Sequence, residues 1–455
     1  LISLTHLDRR NGQKLTGLRP YYSELAWIEK RLSVMIDYVV SLYEFLESSP
    51  ISSTDKQNII SIAQNFTLAD AHDITRKETK TNHDIKAIEQ FIVTSLQKRN
   101  LAVFIPYINL GIGSEDINSI AFGRLMGECR DSVLFPCLQK IALVLTVLAQ
   151  AEKNRTMVAR THAQAANITT FGKEVANFLL RLCDEVEIFT SSKFSVKCTG
   201  EVGSLQGFLA VDSSRDWLGF TDKFIRSYDL TPTHAATQIA PYDSLVRFLQ
   251  SLERINSILL DYVKNMWLYV LVGYVRVIKV ETEVGSAGMP HKVNPIYFEG
   301  AEGGLEMTNG ILETLSRTLP VNRLQRDFSD STTRRNISMP IGLSVLSYQS
   351  IVEGIKRLSV EREVIASSLD RHQEVYLELV KVFCLRHGMN TIYDWLKDKT
   401  RGKTIDGAQL RQLIGELPLK VKEKQALQTM LGEVNPYPAK IVDEAVVKAR
   451  KIFYL

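Results

Sequence analysis

Disulfide frameworks, zinc knuckles and glycine-rich phosphate loops all leave marks that this 455-residue chain does not carry. Its five cysteines, Cys129, Cys137, Cys183, Cys198 and Cys384, are odd in number and form no C-x-x-C pair. That argues against a disulfide scaffold and fits a reduced, intracellular chain. No Walker-type loop, dinucleotide-binding fingerprint or zinc spacing is present. Nucleotide hydrolysis, hydride transfer and metal catalysis therefore lack support, and no metal or cofactor is expected. A dominant charge is also missing: a formal net charge of +4 is too small to announce a nucleic-acid partner, so any basic site has to be local. No run reaches about 18 uncharged apolar residues, so no membrane partner is expected. The opening stretch, "LISLTHLDRRNGQKL", starts without methionine and has neither an apolar signal region nor an Arg/Ser-rich transit character. The expected location is cytoplasmic.

Strand-like alternation is scarce, and residues 194–212 offer the best candidate for a hairpin or loop excursion. What the chain has instead is helical period. In "DSLVRFLQSLERINSILLDYVKNMWLYVLVGYV", Leu245, Phe248, Leu249, Leu252, Ile255, Leu259, Tyr262, Val263, Met266 and Val270 recur at three- and four-residue steps. Pro241 and Asp243 supply entry signals for this one long helix. Residues 131–152, 171–189, 301–318 and 342–359 repeat the pattern, the first with Leu134, Leu138, Ile141, Leu145 and Leu148 on one face. Leu134–Leu148 and Met266–Val275 are apolar nearly all round, which predicts burial on more than one side and hence packing between subunits. The expected fold class is all-α, divided into an N-terminal helical domain (1–114), a central long-helix bundle (115–364) and a C-terminal helical domain (365–455).

Four polar clusters interrupt the helices, and each has a plain structural reading beside a functional one. In "TNHDIKAIEQF", Asn82 or Asp84 suits an N-cap, and His83 adds a hydrogen-bonding group at a helix start. In "RTHAQAANITTFGKE", His162 is either a surface histidine or an acid or base working near neutral pH. In "GSAGMPHKVNP" (285–295), small residues surround Ser286, and Pro290 and Pro295 bracket His291, Lys292, Val293 and Asn294. A surface turn would explain the small residues but not a hydroxyl placed so near an ammonium. The G-x-S-x-G elbow and paired base of serine hydrolases are absent, so hydrolysis is disfavoured. In "NRLQRDFSDSTTRRN", Arg323, Arg326, Arg334 and Arg335 alternate with hydroxyls. That suits phosphate or carboxylate oxygens, or equally a solvated face balanced by Asp327 and Asp330.

"GSAGMPHKVNP" resembles the GSSxMPxKxNP signature of the fumarase/aspartase superfamily. Together with "TNHDIKAIE", "SEDIN", "RTHAQ", "TQIAPYD", "LQRDFSDST" and "TRGK", in that order along nearly the whole chain, it resembles the adenylosuccinate lyase family of bacterial type. The resemblance implies non-hydrolytic C–N cleavage, releasing fumarate from a phosphorylated succinyl-purine nucleotide or its ribotide precursor. It implies Ser286 as the base that removes the proton and His162 as the acid that protonates the leaving nitrogen. Lys292, Val293, Asn294 and Gln238 would contact the substrate. Arg10, Ser114, Arg326, Ser331 and Arg335 would hold phosphate and neighbouring groups, and Asn82, His83 and Asp84 a further part. A homotetramer with active sites shared between subunits is implied as well.

The match is incomplete. Ala287 and Gly288 stand where serine and threonine are usual, Gly113 where threonine is usual, Asn109 for histidine, Asn11 for tyrosine and Gly300 for asparagine, while "RTHAQAANI" replaces "RTHGQPATP". The proposed acid and base survive, and the neutral donors around them thin out. Each lost hydrogen bond is worth about 0.5–1.5 kcal/mol. Two alternatives to the adenylosuccinate reading therefore stay open: a lyase for another aminosuccinate, and an impaired paralogue acting as a binding or scaffold protein.

Overall fold

The computed structural model describes Thr5, Leu7–Thr282 and Gly288–Leu455. Among these residues helices dominate, and strands form only three two-stranded pairs. The all-α expectation holds. The chain divides into two compact units: Leu1–Cys137 with Ile188–Asn256 and Gly304–Leu346, and Leu138–Glu187 with Ser257–Gly303 and Ser347–Leu455. The long helices Phe135–Ala151, Phe171–Ser191, Asp243–Leu271, Ile296–Thr318 and Ser338–Lys356 each contribute residues to both.

The periodic stripe behaves as its spacing requires. Leu245, Phe248, Leu249, Leu252, Ile255, Leu259, Tyr262, Val263 and Met266 are all buried, each worth about 1.5–3 kcal/mol relative to exposure. The helical run Ser114–Ala151 is long and apolar enough to cross a membrane by length and composition alone. Core helices of large domains meet the same criterion. Its backbone widens to a π-turn over Arg130–Leu134, next to Pro136, which has no N–H to give the regular ladder. Leu134, Leu138, Ile141 and Leu145 are buried, whereas Val147 remains 61% exposed on the far side. Leu268 and Leu271 are likewise exposed at the end of Asp243–Leu271. One chain alone thus covers only one side of these two stretches.

In the first unit, Ser23 caps the helix Glu24–Leu46 by accepting from Ala26 N, and Leu32, Met35, Tyr38, Val39 and Leu42 on that helix are buried. A buried ion pair joins Lys197 Nζ to Asp116 Oδ1 at 2.5 Å, both side chains fully enclosed. The amides of Gly113, Thr199 and Gly200 also donate to that carboxylate. Such a pair persists because every remaining lone pair finds a donor.

In the second unit, Thr156–Thr161 and Gln164–Thr170 form an antiparallel hairpin. This corrects the expected strand location. In 194–212 only Ser195–Val196 is strand, paired in parallel with Thr231–Pro232, and Gln206–Val211 is helix. The hairpin escaped notice because its two-residue turn, His162–Ala163, lacks the Asn-Gly chemistry that usually marks the positive φ values such a turn demands. A separate apolar cluster, from Val380 through Cys384, Leu396 and Leu410 to Leu427, packs the C-terminal helices. All five cysteines are free thiols.

Candidate active site

A cleft of about 1290 Å³ opens in the first unit. Its walls come from segments far apart in sequence, each positioned by local chemistry. Thr67 and Asp70 form a capping box that starts the helix Leu68–Thr81, and Asn82 ends it in the left-handed conformation at φ 52°. His83 then caps the helix Asp84–Lys98, its Nδ1 accepting from Lys86 N at 3.3 Å. The cap is thus the histidine, not the Asn or Asp that the sequence suggested. Ser114 opens the buried helix Ser114–Cys129, whose first turn is tied down by Asp116 accepting from Gly113 N at 2.7 Å.

Glu115 organises the charges. It is almost fully enclosed and pairs with Arg326 Nη2 at 3.1 Å and Arg334 Nη1 at 3.7 Å, and it accepts from Asn118 Nδ2 at 2.7 Å. Tyr242 donates to Asp330 Oδ2 at 2.7 Å. Burial works against the Arg334 charge, but Tyr242, Glu115, Asp330 and Asp84 together raise its pKa above the usual value. Arg31 pairs with Asp84 at 3.1 Å. Burial alone would raise the Asp84 carboxyl, yet Arg31, the Ile85 amide, His83 and Arg335 hold it below its usual range. Burial, then Asp84 and Glu24, push Glu78 upward.

Not every polar group in this network is satisfied. Arg31 Nε, Asn118 Oδ1, Arg326 Nε and Asp330 Oδ1 are buried without hydrogen-bond partners. Buried polar atoms left this way are uncommon in folded proteins and mark places where a network is incomplete.

Of the residues expected to bind substrate, Asn82, His83, Asp84, Ser114, Gln238, Arg326, Ser331 and Arg335 all line this one cleft. Arg335 is exposed and makes no ion pair among the described residues. Arg10 is exposed in the N-terminal turns and is not among the lining residues. The arginine-rich segment divides in two. Arg323 pairs with Asp327 on the surface, as a solvated face would, while Arg326 and Arg334 turn inward to Glu115. Sequence reasoning missed Arg31, Glu115 and Glu201 as cleft residues. Glu115 lay inside the quoted "SEDIN" segment, where its signal was available. Arg31 sits in an ordinary amphipathic helix and gave none.

His162, Lys292, Val293 and Asn294 belong to the second unit. His162 and Ala163 occupy the hairpin turn at φ 51° and 62°. The imidazole is exposed and makes no hydrogen bond among the described residues. Lys292 is also exposed and unpaired there, its amide donating to Met289 O at 3.1 Å. Asn294 Oδ1 is buried without a partner. Ser286 and Ala287 lie outside the described residues.

Comparison with known proteins gives the family. A family described as "Lyase" matches residues 43–307, and one described as "Adenylosuccinate lyase C-terminal" matches residues 322–434. The chain is 34% identical to adenylosuccinate lyase of Vibrio cholerae over 94% of its length and 95% of the relative's. It is 32% identical to that of Haemophilus influenzae over 99% of each, and 32% identical to that of Escherichia coli over 94% and 95%. Among solved structures, the 3-carboxy-cis,cis-muconate lactonizing enzyme of Pseudomonas putida superposes with a TM-score of 0.70 at 18% identity. That alignment covers 96% of this chain and 97% of that one, which is a likeness of fold.

Proposed function

Because the chain belongs to the adenylosuccinate lyase family, we propose that it is a C–N lyase of purine nucleotide synthesis. It eliminates fumarate from adenylosuccinate, leaving AMP, and from succinyl-aminoimidazole-carboxamide ribotide, leaving the amide. The observation that carries the reading is the cleft, where a hydroxyl-and-arginine wall of Arg326, Ser331 and Arg335 meets Asn82, His83, Asp84, Ser114 and Gln238. The exposed Arg335 guanidinium beside the Ser331 hydroxyl suits a phosphate, with Arg326 held next to it by Glu115, and the amide and imidazole groups suit the rest of a nucleotide.

In the proposed step Ser286, as its alkoxide, takes the proton from the carbon beside a carboxylate. The electron pair forms the C=C bond of fumarate, the C–N bond breaks, and His162 gives its proton to the departing nitrogen. Charge gathers on the carboxylate next to the deprotonated carbon, so fixed donors are needed there. Lys292 and Asn294 fill that role, with Val293 between them. The unpaired state of His162 and Lys292 supports it, since a group already satisfied inside the chain has less to offer a substrate. Arg10 is proposed as a phosphate contact by family likeness.

The reading also includes a cytoplasmic homotetramer with shared active sites. It is supported by the exposed apolar sides of Phe135–Ala151 and Asp243–Leu271, which a second copy would cover. On this view the apolar Ser114–Ala151 run is a core and interface helix, not a membrane span. The division into 1–114, 115–364 and 365–455 stands as the proposed domain order, the apolar cluster from Val380 to Leu427 supporting the last.

Fumarate and AMP release from adenylosuccinate tests the assignment, measured for the parent, His162→Ala and Ser286→Ala. Turnover that collapses in both variants is expected. No turnover in the parent with AMP still bound would replace it by a lyase for another aminosuccinate. A tetramer that neither turns over nor binds AMP would point to the scaffold role.

A further inference from the structure

Glu24, Glu78 and Glu201 line the cleft without being paired like Glu115 or matched to an expected role, and Glu201 alone of the three is seated on a glycine. Glu201 lines the wall with its carboxylate against the α-carbon of Gly113. A Cβ at 113 would lie 2.9 Å from both Cδ and Oε2 of Glu201 and 3.1 Å from Oε1. Only glycine leaves that space to the carboxylate; any other side chain there would push it away. The backbone on either side of Glu201 is anchored. Thr199 and Gly200 donate to the buried Asp116 carboxylate at 3.0 and 3.1 Å. Two residues on, Gly203 sits at φ 78°, where a Cβ would come within 2.0 Å of Ala236 O. Among the described residues Glu201 makes no ion pair, and its one side-chain hydrogen bond is a long one from Gln238 Nε2, at 3.5 Å. A carboxylate so placed has most of its accepting capacity still open toward the cleft.

Resting on the lyase reading, we propose that Glu201, seated on Gly113, is a specificity-determining residue. It accepts a hydrogen bond from the free amine on the imidazole ring, and so favours the aminoimidazole ribotide over adenylosuccinate. The ribotide carries a free ring amine with two protons to donate. In adenylosuccinate the same edge is closed into a second ring, which presents nitrogen lone pairs. Glu201 is exposed, so water satisfies it when no donor is presented; the preference is the charge-assisted bond that the first offers and the second does not.

Calorimetric binding of the two products, AMP and aminoimidazole-carboxamide ribotide, isolates this preference because the amide product keeps the ring amine. The parent is expected to bind the ribotide more tightly. Glu201→Gln, which donates as well as accepts, should shift the ratio of dissociation constants toward AMP by about tenfold or more. Gly113→Ala should shift it in the same direction by displacing the carboxylate without removing it, and should add little to Glu201→Ala. A ratio unchanged in Glu201→Gln, or a parent that binds neither product, overturns the proposal. Fumarate release is scored separately in the same preparations. Its absence defeats the lyase reading, while the binding ratio still decides whether Glu201 discriminates.

Discussion

Glu115 is enclosed, fixed by two arginines and an asparagine, and surrounded by a cleft whose charges are mostly spoken for. His162 stands exposed at a two-residue turn with no hydrogen bond among the described residues. The first region spends its polar groups on one another and so arrives at the ligand already shaped. The second holds its polar groups with backbone geometry alone and leaves them free to act. A binding wall gains from being rigid before the substrate comes, whereas a proton donor satisfied by its own chain is less available to a leaving group.

Removing the free group should strike function and spare the fold. His162→Ala is expected to lower kcat for fumarate release by about 10²- to 10⁴-fold, with unfolding by urea within about 0.5 kcal/mol of the parent. A comparable loss of stability would break the contrast. The converse change is Asp116→Ala, which leaves Lys197 buried without its counter-charge and should cost about 3–5 kcal/mol in denaturant unfolding. Between these lies Arg326→Ala. It removes one partner of Glu115 together with a proposed phosphate contact, and should raise KM by an amount worth about 1.5–3 kcal/mol while kcat changes less. A fall in kcat alone would move Arg326 from the binding wall to the chemistry.

Smaller effects sharpen the same picture. Ala163 sits at φ 62°, a conformation that costs a side-chain-bearing residue about 1–2 kcal/mol and glycine almost nothing. Ala163→Gly should therefore stabilise the hairpin by up to about 1 kcal/mol, after allowing for the greater freedom of glycine in the unfolded chain. Thermal unfolding checks the sign. The Arg31–Asp84 pair should show in acid. Asp84 titrates lower in the folded chain than in the unfolded one, so its contribution is present above the unfolded value near about 3.9 and fades as pH falls through the lowered folded value. Asp84→Asn should flatten that part of the stability–pH curve below pH ~4, and an unchanged curve would mean that the pair is not coupled to folding.

Helix positions and the buried stripe of Asp243–Leu271 were legible because a 3.6-residue period leaves its mark on every turn. Asn82, His83, Asp84, Arg326, Ser331 and Arg335 were legible because polar clusters interrupt that period, and Ser114 and Gln238 through the family resemblance. The hairpin at 156–170 was not, since its turn uses His-Ala at positive φ and its strands, of ordinary length, do not alternate apolar with polar residues. Arg31 was not, because a lone arginine on an amphipathic helix looks like a solvated residue until Asp84 is seen beside it.

The sequence by itself therefore determined the elements, the likeness to a lyase family, and the residue types available for acid–base work and phosphate binding, because all of these are written in local spacing. Only the tertiary structure decided that Arg326 and Arg334 share one buried carboxylate while Arg323 faces water, and that Gly113 makes room for Glu201. Those outcomes depend on which distant segments meet within a few ångströms. Burial and charge pairing act at that range through space, and no spacing along the chain encodes it.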